Sequence, residues 1–285
     1  MIRPSGTVTF LFTDIEGSTR RWENGLRYAQ TAQEMETDPR YDPLPSSWSR
    51  HWEAAAHLYA GRVNQAMGTW SSQIAQDGSA HVWGLCGQAM TLPLLRTVPE
   101  APAIADEALA AARAHANPFY IAWALFSCAL AYARPDPDRA LDTAHEALDF
   151  ARDHRLVFWE ANIAREAARL EVAHGDLETG LTLFDRAIDS QHHGGNLANL
   201  ATTLADLAIA FARIQRPDIA ATLFGTVTRF NAAISGFRTE PLRTALGDAV
   251  FKQCAAIGAA MEPAEAARYA RDQIRLARRD LGDAP

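Results

Sequence analysis

The chemistry-bearing residues of this sequence gather at its start, in the run Gly6-Thr7-Val8-Thr9-Phe10-Leu11-Phe12-Thr13-Asp14-Ile15-Glu16-Gly17-Ser18-Thr19. Val8, Phe10, Leu11, Phe12 and Ile15 make a short, nearly continuous apolar run, the pattern of a strand buried on both faces. Such a strand delivers one carboxylate, Asp14, to its C-terminal end, and Gly17-Ser18-Thr19 then interrupts it. Hard oxygen ligands suit Mg²⁺ or Mn²⁺, but a single carboxylate is a poor site for a divalent ion, which takes several oxygens. After Trp22 no second strand-like run carrying a carboxylate follows. Asp77-Gly78 is the nearest approach, and it sits between helical segments.

The remaining polar signals point to structure. His192-His193 precedes Gly194-Gly195-Asn196 with no His or Cys at metal-ligand spacing, which reads as a polar helix-to-helix loop. His115, His154 and His174 fall near helix ends, where polar or cationic groups complement the helix dipole. No Ser/His/Asp or Cys/His arrangement and no GxxxxGK[ST] phosphate loop is present. Arg268, Arg271, Arg275, Arg278 and Arg279 make a locally basic end, read as a terminal capping helix in preference to a nucleic-acid contact. Trp48, Trp52, Trp70, Trp83, Trp123 and Trp159 are mostly core candidates at helical spacing.

The elements that carry these residues divide by texture. Residues 1–24 hold the strand and turn, with a helix start at Arg20-Arg21-Trp22. Residues 25–46 are a linker with room for one short helix, marked by Asp38-Pro39, Asp42-Pro43 and Pro45-Ser46-Ser47. From 47 to 285 the texture is helical throughout, with apolar residues three and four apart. Breaks fall at Gly61, Asp77-Gly78, Pro99, Asn117-Pro118, Pro135-Asp136-Pro137, Gly175-Asp176, Gly194-Gly195-Asn196, Pro217-Asp218, Gly236 and Glu262-Pro263. Several supply Asp or Asn as an N-cap and Pro for the first turn.

The helical segments repeat. Ala105–His115 matches Ala144–His154 at seven of eleven positions, 39 residues apart. A step of 40 relates Asp136, Ala140 and Ala147 to Asp176, Gly180 and Ala187, and Ala144 to Phe184 and Phe224. Cys128, Ala168 and Ala208 fall at the same step, and all are small. Two helices per unit at this period predict a helical solenoid of five or six pairs, in which neighbours bury one another's apolar faces. An irregular bundle with chance Ala matches is the alternative.

Two resemblances add to this reading. Ala164-x3-Ala168, Gly175-Asp176-Leu177-x2-Gly180-x3-Phe184-x2-Ala187 resembles the tetratricopeptide spacing, with a longer period and most of the Trp, Tyr and Pro positions unfilled. Ala220–Gly225 and Leu242-x3-Leu246-Gly247-Asp248 resemble the C-terminal part of actinobacterial regulators that join a cyclase-like domain, an ATPase and such repeats, often ending in a LuxR-type DNA-binding domain. The run from Gly6 to Thr19 resembles the first strand of class III adenylate/guanylate cyclases. That resemblance implies Asp14 and the Ile15 carbonyl as metal ligands, and Gly17, Ser18 and Thr19 as a turn approaching the triphosphate. Two metals would activate the ribose 3′-hydroxyl and steady the pyrophosphate. The family's second metal-binding Asp, base-selecting residues and Asn/Arg pair find no match, so the run reads as vestigial.

Composition bounds the rest. The 285 residues are 48% hydrophobic with a net charge of −7, which argues against nucleic acid as the default partner. Lys252 is the single lysine. Cys86, Cys128 and Cys254 lie far apart without a CxxC pair, as in a reducing cytosol. No signal-peptide pattern opens the chain, and no apolar stretch reaches the ~20 residues of a membrane span. The expectation is an all-α, tetratricopeptide-like solenoid with a short N-terminal strand remnant, cytoplasmic and without a DNA-binding domain. Its function would be non-enzymatic: an interaction module of a signalling or transcriptional-regulator family, holding a protein or peptide in the repeat groove. No cofactor is expected. The alternative is a cyclase-related protein making cAMP, using the same Asp14 and needing Mg²⁺ or Mn²⁺.

Overall fold

A computed structural model describes residues 26–34, 47–59, 61–76, 78–94, 99–229 and 239–282. Among these, every regular element is a helix. The residues form two compact units that meet in sequence between Tyr132 and Ala133. The strand and turn expected over 1–24 lie outside the described residues.

The first unit holds α1 over residues 26–34, α2 (Ser47–Tyr59), α3 (Val63–Ile74), α4 (Ser79–Thr91), a 3₁₀ turn (Leu92–Leu94), α5 (Ala101–His115) and α6 (Pro118–Tyr132). From α2 onward each helix packs on the next, and α4 also packs on α2 and α6. α6 carries no charged residue and is buried nearly all round, from Tyr120 to Tyr132. An all-round apolar helix belongs at the centre of a unit. Asn117 starts it, its side chain accepting from the Phe119 N–H at 2.9 Å. α4 admits its neighbour through two glycines: a Cβ on Gly87 would lie 2.4 Å from the Trp70 ring, and one on Gly84 would lie 2.6 Å from the Ile74 nitrogen.

The second unit holds α7 (Pro137–Asp153), α8 (Val157–His174), α9 (Leu177–His193), α10 (Leu197–Arg213), α11 (Pro217–Arg229), α12 (Glu240–Leu246), α13 (Asp248–Ala260) and α14 (Pro263–Gly282). α7, α9 and α11 begin 40 residues apart, as do α8 and α10. The capping chemistry repeats at the same step. Asp136 accepts from the Arg139 N–H, and Asp176 accepts from the Thr179 N–H and hydroxyl. Each such cap is worth about 1 kcal/mol. The turns that follow α7 and α9 also repeat: Leu156 N–H bonds to Ala151 O and Asn196 N–H to Gln191 O. A residue at positive φ makes each turn, Arg155 at 53° and Gly195 at 67°.

Packing explains the small residues at this period. Ala140, Gly180 and Ala220 are all buried, and so are Ala147 and Ala187. A Cβ on Gly180 would approach Val172 Cγ2 to 2.7 Å and the Ala168 carbonyl oxygen to 3.0 Å, so the glycine sets the closeness of α8 and α9. α11 and α13 cross closer still. A Cβ on Gly225 would lie 2.0 Å from the Ala255 oxygen, and one on Gly258 1.9 Å from the Thr222 oxygen.

Candidate functional site

Asp14, Ile15, Gly17, Ser18 and Thr19 lie outside the described residues. Among the described residues, no three of His, Cys, Asp and Glu stand where they could hold a metal ion together. The polar groups that the fold does assemble form four constellations, three in the second unit and one in the first.

The first lies on α8 and α10. Arg165 Nη1 donates to Asp206 Oδ2 at 2.7 Å. One turn along α8, Arg169 grips Glu166 with two N–H groups, Nε to Oε2 at 3.1 Å and a second bond from Nη2 to Oε1. Burial pushes the Glu166 carboxyl up, but Arg169 with help from Arg165 holds it below the usual range. Burial dominates at Asp206 and pushes its carboxyl up in spite of Arg165 and Arg169. Two arginines thus neutralise two carboxylates, and the group serves the pairing of the two helices.

The second ties three helices at one carboxylate. Glu171 of α8 accepts from His145 Nε2 of α7 at 2.6 Å, and its other oxygen accepts from the Asp176 N–H at the start of α9, also at 2.6 Å. Gly175 leaves room beside it: a Cβ there would lie 2.0 Å from Glu171 Oε2 and displace that carboxylate.

The third is the seat of α14. This helix packs on α9, and less extensively on α10 and α11. It buries Ala266, Ala267, Ala270, Ile274 and Ala277. Arg271 Nε donates to Asp185 Oδ1 at 2.8 Å while its Nη1 bonds to Asp189, and Arg278 Nη2 reaches Glu178 Oε1 at 3.2 Å. Asp280 pairs with Arg216. Arg271 and Arg278 stand two turns apart, as do Glu178 and Asp185, so the two helices run antiparallel in matched register. The basic end of the sequence is thereby turned onto the protein's own carboxylates, and Arg275 pairs with Asp272 on the same helix. On α7, 40 residues before Glu178 and Asp189, Asp138 and Asp149 are exposed, with Asp142 and Asp153 on the same acidic side.

The fourth is in the first unit. His51 of α2 lies among indole rings, with centroid separations of 5.0 Å to Trp52, 5.2 Å to Trp70, 4.5 Å to Trp83 and 4.8 Å to Trp123. Its Nδ1 is buried without a hydrogen-bond partner, as is the Trp70 Nε1. Burial pushes the His51 pKa down to about 3. The neighbouring helices supply nothing to offset this: α3 and α6 contain no charged residue, and α4 contains only His81, whose Nδ1 bonds to the Ile74 carbonyl at 2.8 Å. The side chain is a neutral, part-buried histidine.

Two further histidines take structural places. His154 Nδ1 bonds to the Phe150 carbonyl at 2.9 Å and His193 Nδ1 to the Asp189 carbonyl at 2.9 Å, each closing its own helix. His192 and His193 form the last turn of α9 and not the loop that follows it. Trp70, Trp83, Trp123 and Trp159 are buried. The α14 seat is hidden in the sequence because an arginine's partners 82 and 86 residues away leave no local pattern. The arginines at i and i+7 on an alanine stripe are its only trace. Among the described residues no helix is long and apolar enough to cross a membrane. No protein-family model matches the chain, and no curated protein matches it either.

Proposed function

We propose that this chain is a non-enzymatic interaction module, a tetratricopeptide-like solenoid from the actinobacterial regulator family that joins cyclase-like, ATPase and repeat domains. It holds a protein segment on the face of the first helices of its pairs. One observation carries the reading: α9 already holds a helix, α14, through an alanine stripe flanked by arginine-carboxylate pairs. The repeat places further exposed carboxylates, Asp138 and Asp149, at two of the three corresponding positions of α7. Repeat scaffolds present such extended faces, and charge complementarity supplies specificity and orientation.

The test is selection from a displayed random-peptide library on the full chain, with each selected peptide re-measured on Asp138→Lys/Asp149→Lys. Peptides with cationic helical character that lose at least tenfold in affinity on the variant are expected. Selected peptides that bind chain and variant alike would sink the reading, as would a selection that yields none.

A further inference from the structure

We infer that α14 is an intramolecular ligand: it occupies the α9/α11 face in place of an arginine-bearing amphipathic helix of a partner protein, and that partner binds only when α14 is released. The inference rests on the interaction-module reading and gives it a partner chemistry and a form of control.

The seat specifies its occupant in two ways. The buried face of α14 is Ala266, Ala267, Ala270 and Ala277 around the single large residue Ile274, so only a helix with a small-residue stripe can come as close. The rim asks for arginine. Arg271 spans Asp185 and Asp189 at once, and Arg278 meets Glu178 two turns away. A guanidinium can bridge two carboxylates through separate N–H groups, which a lysine ammonium does with far less geometric fit. The occupant is therefore a helix with arginines at i and i+7 beside alanines.

The same features make α14 a readily released helix. The charged side chains that anchor it are all part-exposed, from 28% at Asp185 to 60% at Glu178, so solvent and salt weaken each pair. An alanine face buries little apolar area per residue. α13 does not retain it: the chain turns at Met261 and Glu262, and α14 leaves α13 across an open groove of about 390 Å³ lined by Ile257, Met261, Arg268 and Tyr269. Ile257 there remains 51% exposed. By contrast, α11 and α13 interlock at Gly225 and Gly258, and α9 is bound to α8 at Gly180. Segments with few buried apolar contacts open first while their neighbours hold. The covalent tether gives α14 a high effective concentration, on the order of millimolar for a short connection, so a partner competes only when α14 is weakened or its own affinity is high.

The experiment uses the full chain and a labelled peptide of residues 263–282, followed by fluorescence anisotropy at low salt. Arg271→Glu/Arg278→Glu in the chain releases its own α14. That variant is expected to bind the peptide at least tenfold more tightly than the unaltered chain does. Asp185→Arg/Asp189→Arg in a chain that keeps Arg271 and Arg278 also releases α14, and that variant should bind not this peptide but one carrying the two Glu substitutions. Equal binding to the released and unaltered chains would overturn the inference, and so would indifference to the reversed seat. Hydrogen exchange on the unaltered chain is independent of how the variants fold: α14 amides should exchange at least tenfold faster than those of α9 and α11, and equal protection would refute release. Library peptides that depend on Asp138 and Asp149 while α14 proves locked would leave the interaction reading intact and remove only the gating.

Discussion

His51 joins burial to chemistry at the scale of one residue. Its neutral form is favoured in the fold, with a pKa near 3 against 6.5 for a free side chain. Between those values the unfolded chain binds the proton and the folded chain does not, so stability is complete above about pH 6.5 and falls as the pH drops toward 3. Several kcal/mol are at stake over the window. His51→Phe should flatten the dependence: the urea midpoint read by tryptophan fluorescence should fall between pH 7.5 and 5 in the unaltered chain and hold nearly constant in the variant. Equal slopes would place the acid sensitivity elsewhere. A second residue-scale expectation concerns Arg165 and Asp206. Asp206→Ala leaves a part-buried guanidinium without its carboxylate and should cost about 3 kcal/mol. Arg165→Met/Asp206→Leu removes both charges and should recover most of that loss by denaturant titration, because the pair's worth lies largely in mutual compensation.

Helices in the second unit are held by how closely they approach, and glycine sets that distance. At Gly258 an added Cβ meets the backbone oxygen of Thr222 at 1.9 Å, and that atom cannot swing away as a flexible side chain could. Gly258→Ala should therefore separate α11 from α13 and cost more than the about 1–3 kcal/mol typical of overpacking. Gly68→Ala, where nothing lies within 4 Å of an added Cβ, is the matched control and should be neutral or slightly stabilising by helix propensity. Thermal midpoints of the two variants check this directly. Equal midpoints would mean that the α11/α13 crossing relaxes freely. The helix boundaries themselves are legible in the amino-acid order. Pro118, Pro137, Pro217 and Pro263 each open a helix, and Asp136, Asp176 and Asn196 each cap one. These signals are local, since a cap bonds within its own turn. Gly247 is a boundary that the order of residues leaves hidden. It divides α12 from α13 at a φ of 76°, and a single glycine in an Ala-rich helical pattern does not announce whether it bends, breaks or packs.

At the scale of the whole chain, the two compact units carry different reporters. Trp52, Trp70, Trp83 and Trp123 belong to the first unit, whereas Trp159 lies in the second. Tryptophan fluorescence should then follow mainly the first unit in denaturant, while helical circular dichroism follows both. The two transitions should fail to coincide, and Gly258→Ala should move the second more than the first. Superimposed curves in both proteins would show one cooperative unit. A separate expectation concerns Asp14: with ATP or GTP and Mn²⁺, cyclic-nucleotide production by the chain should not exceed that of Asp14→Ala. Activity lost in that variant would replace the interaction reading with the cyclase one.

The all-α class, most of the helix limits and the 40-residue step are written in the amino-acid order, because propensity, capping and apolar periodicity act over a few residues and recur. Burial of Cys128, Ala168 and Ala208 follows from the same pattern. Which side chains meet across long separations was decided only in three dimensions. Nothing local in α14 marks Asp185 and Asp189 as partners of Arg271, and nothing around His51 in sequence assembles Trp70, Trp83 and Trp123 about its ring. Such meetings depend on helix crossing and register. These are set by the summed packing of faces, and by glycines whose purpose is visible only beside the atom they make room for.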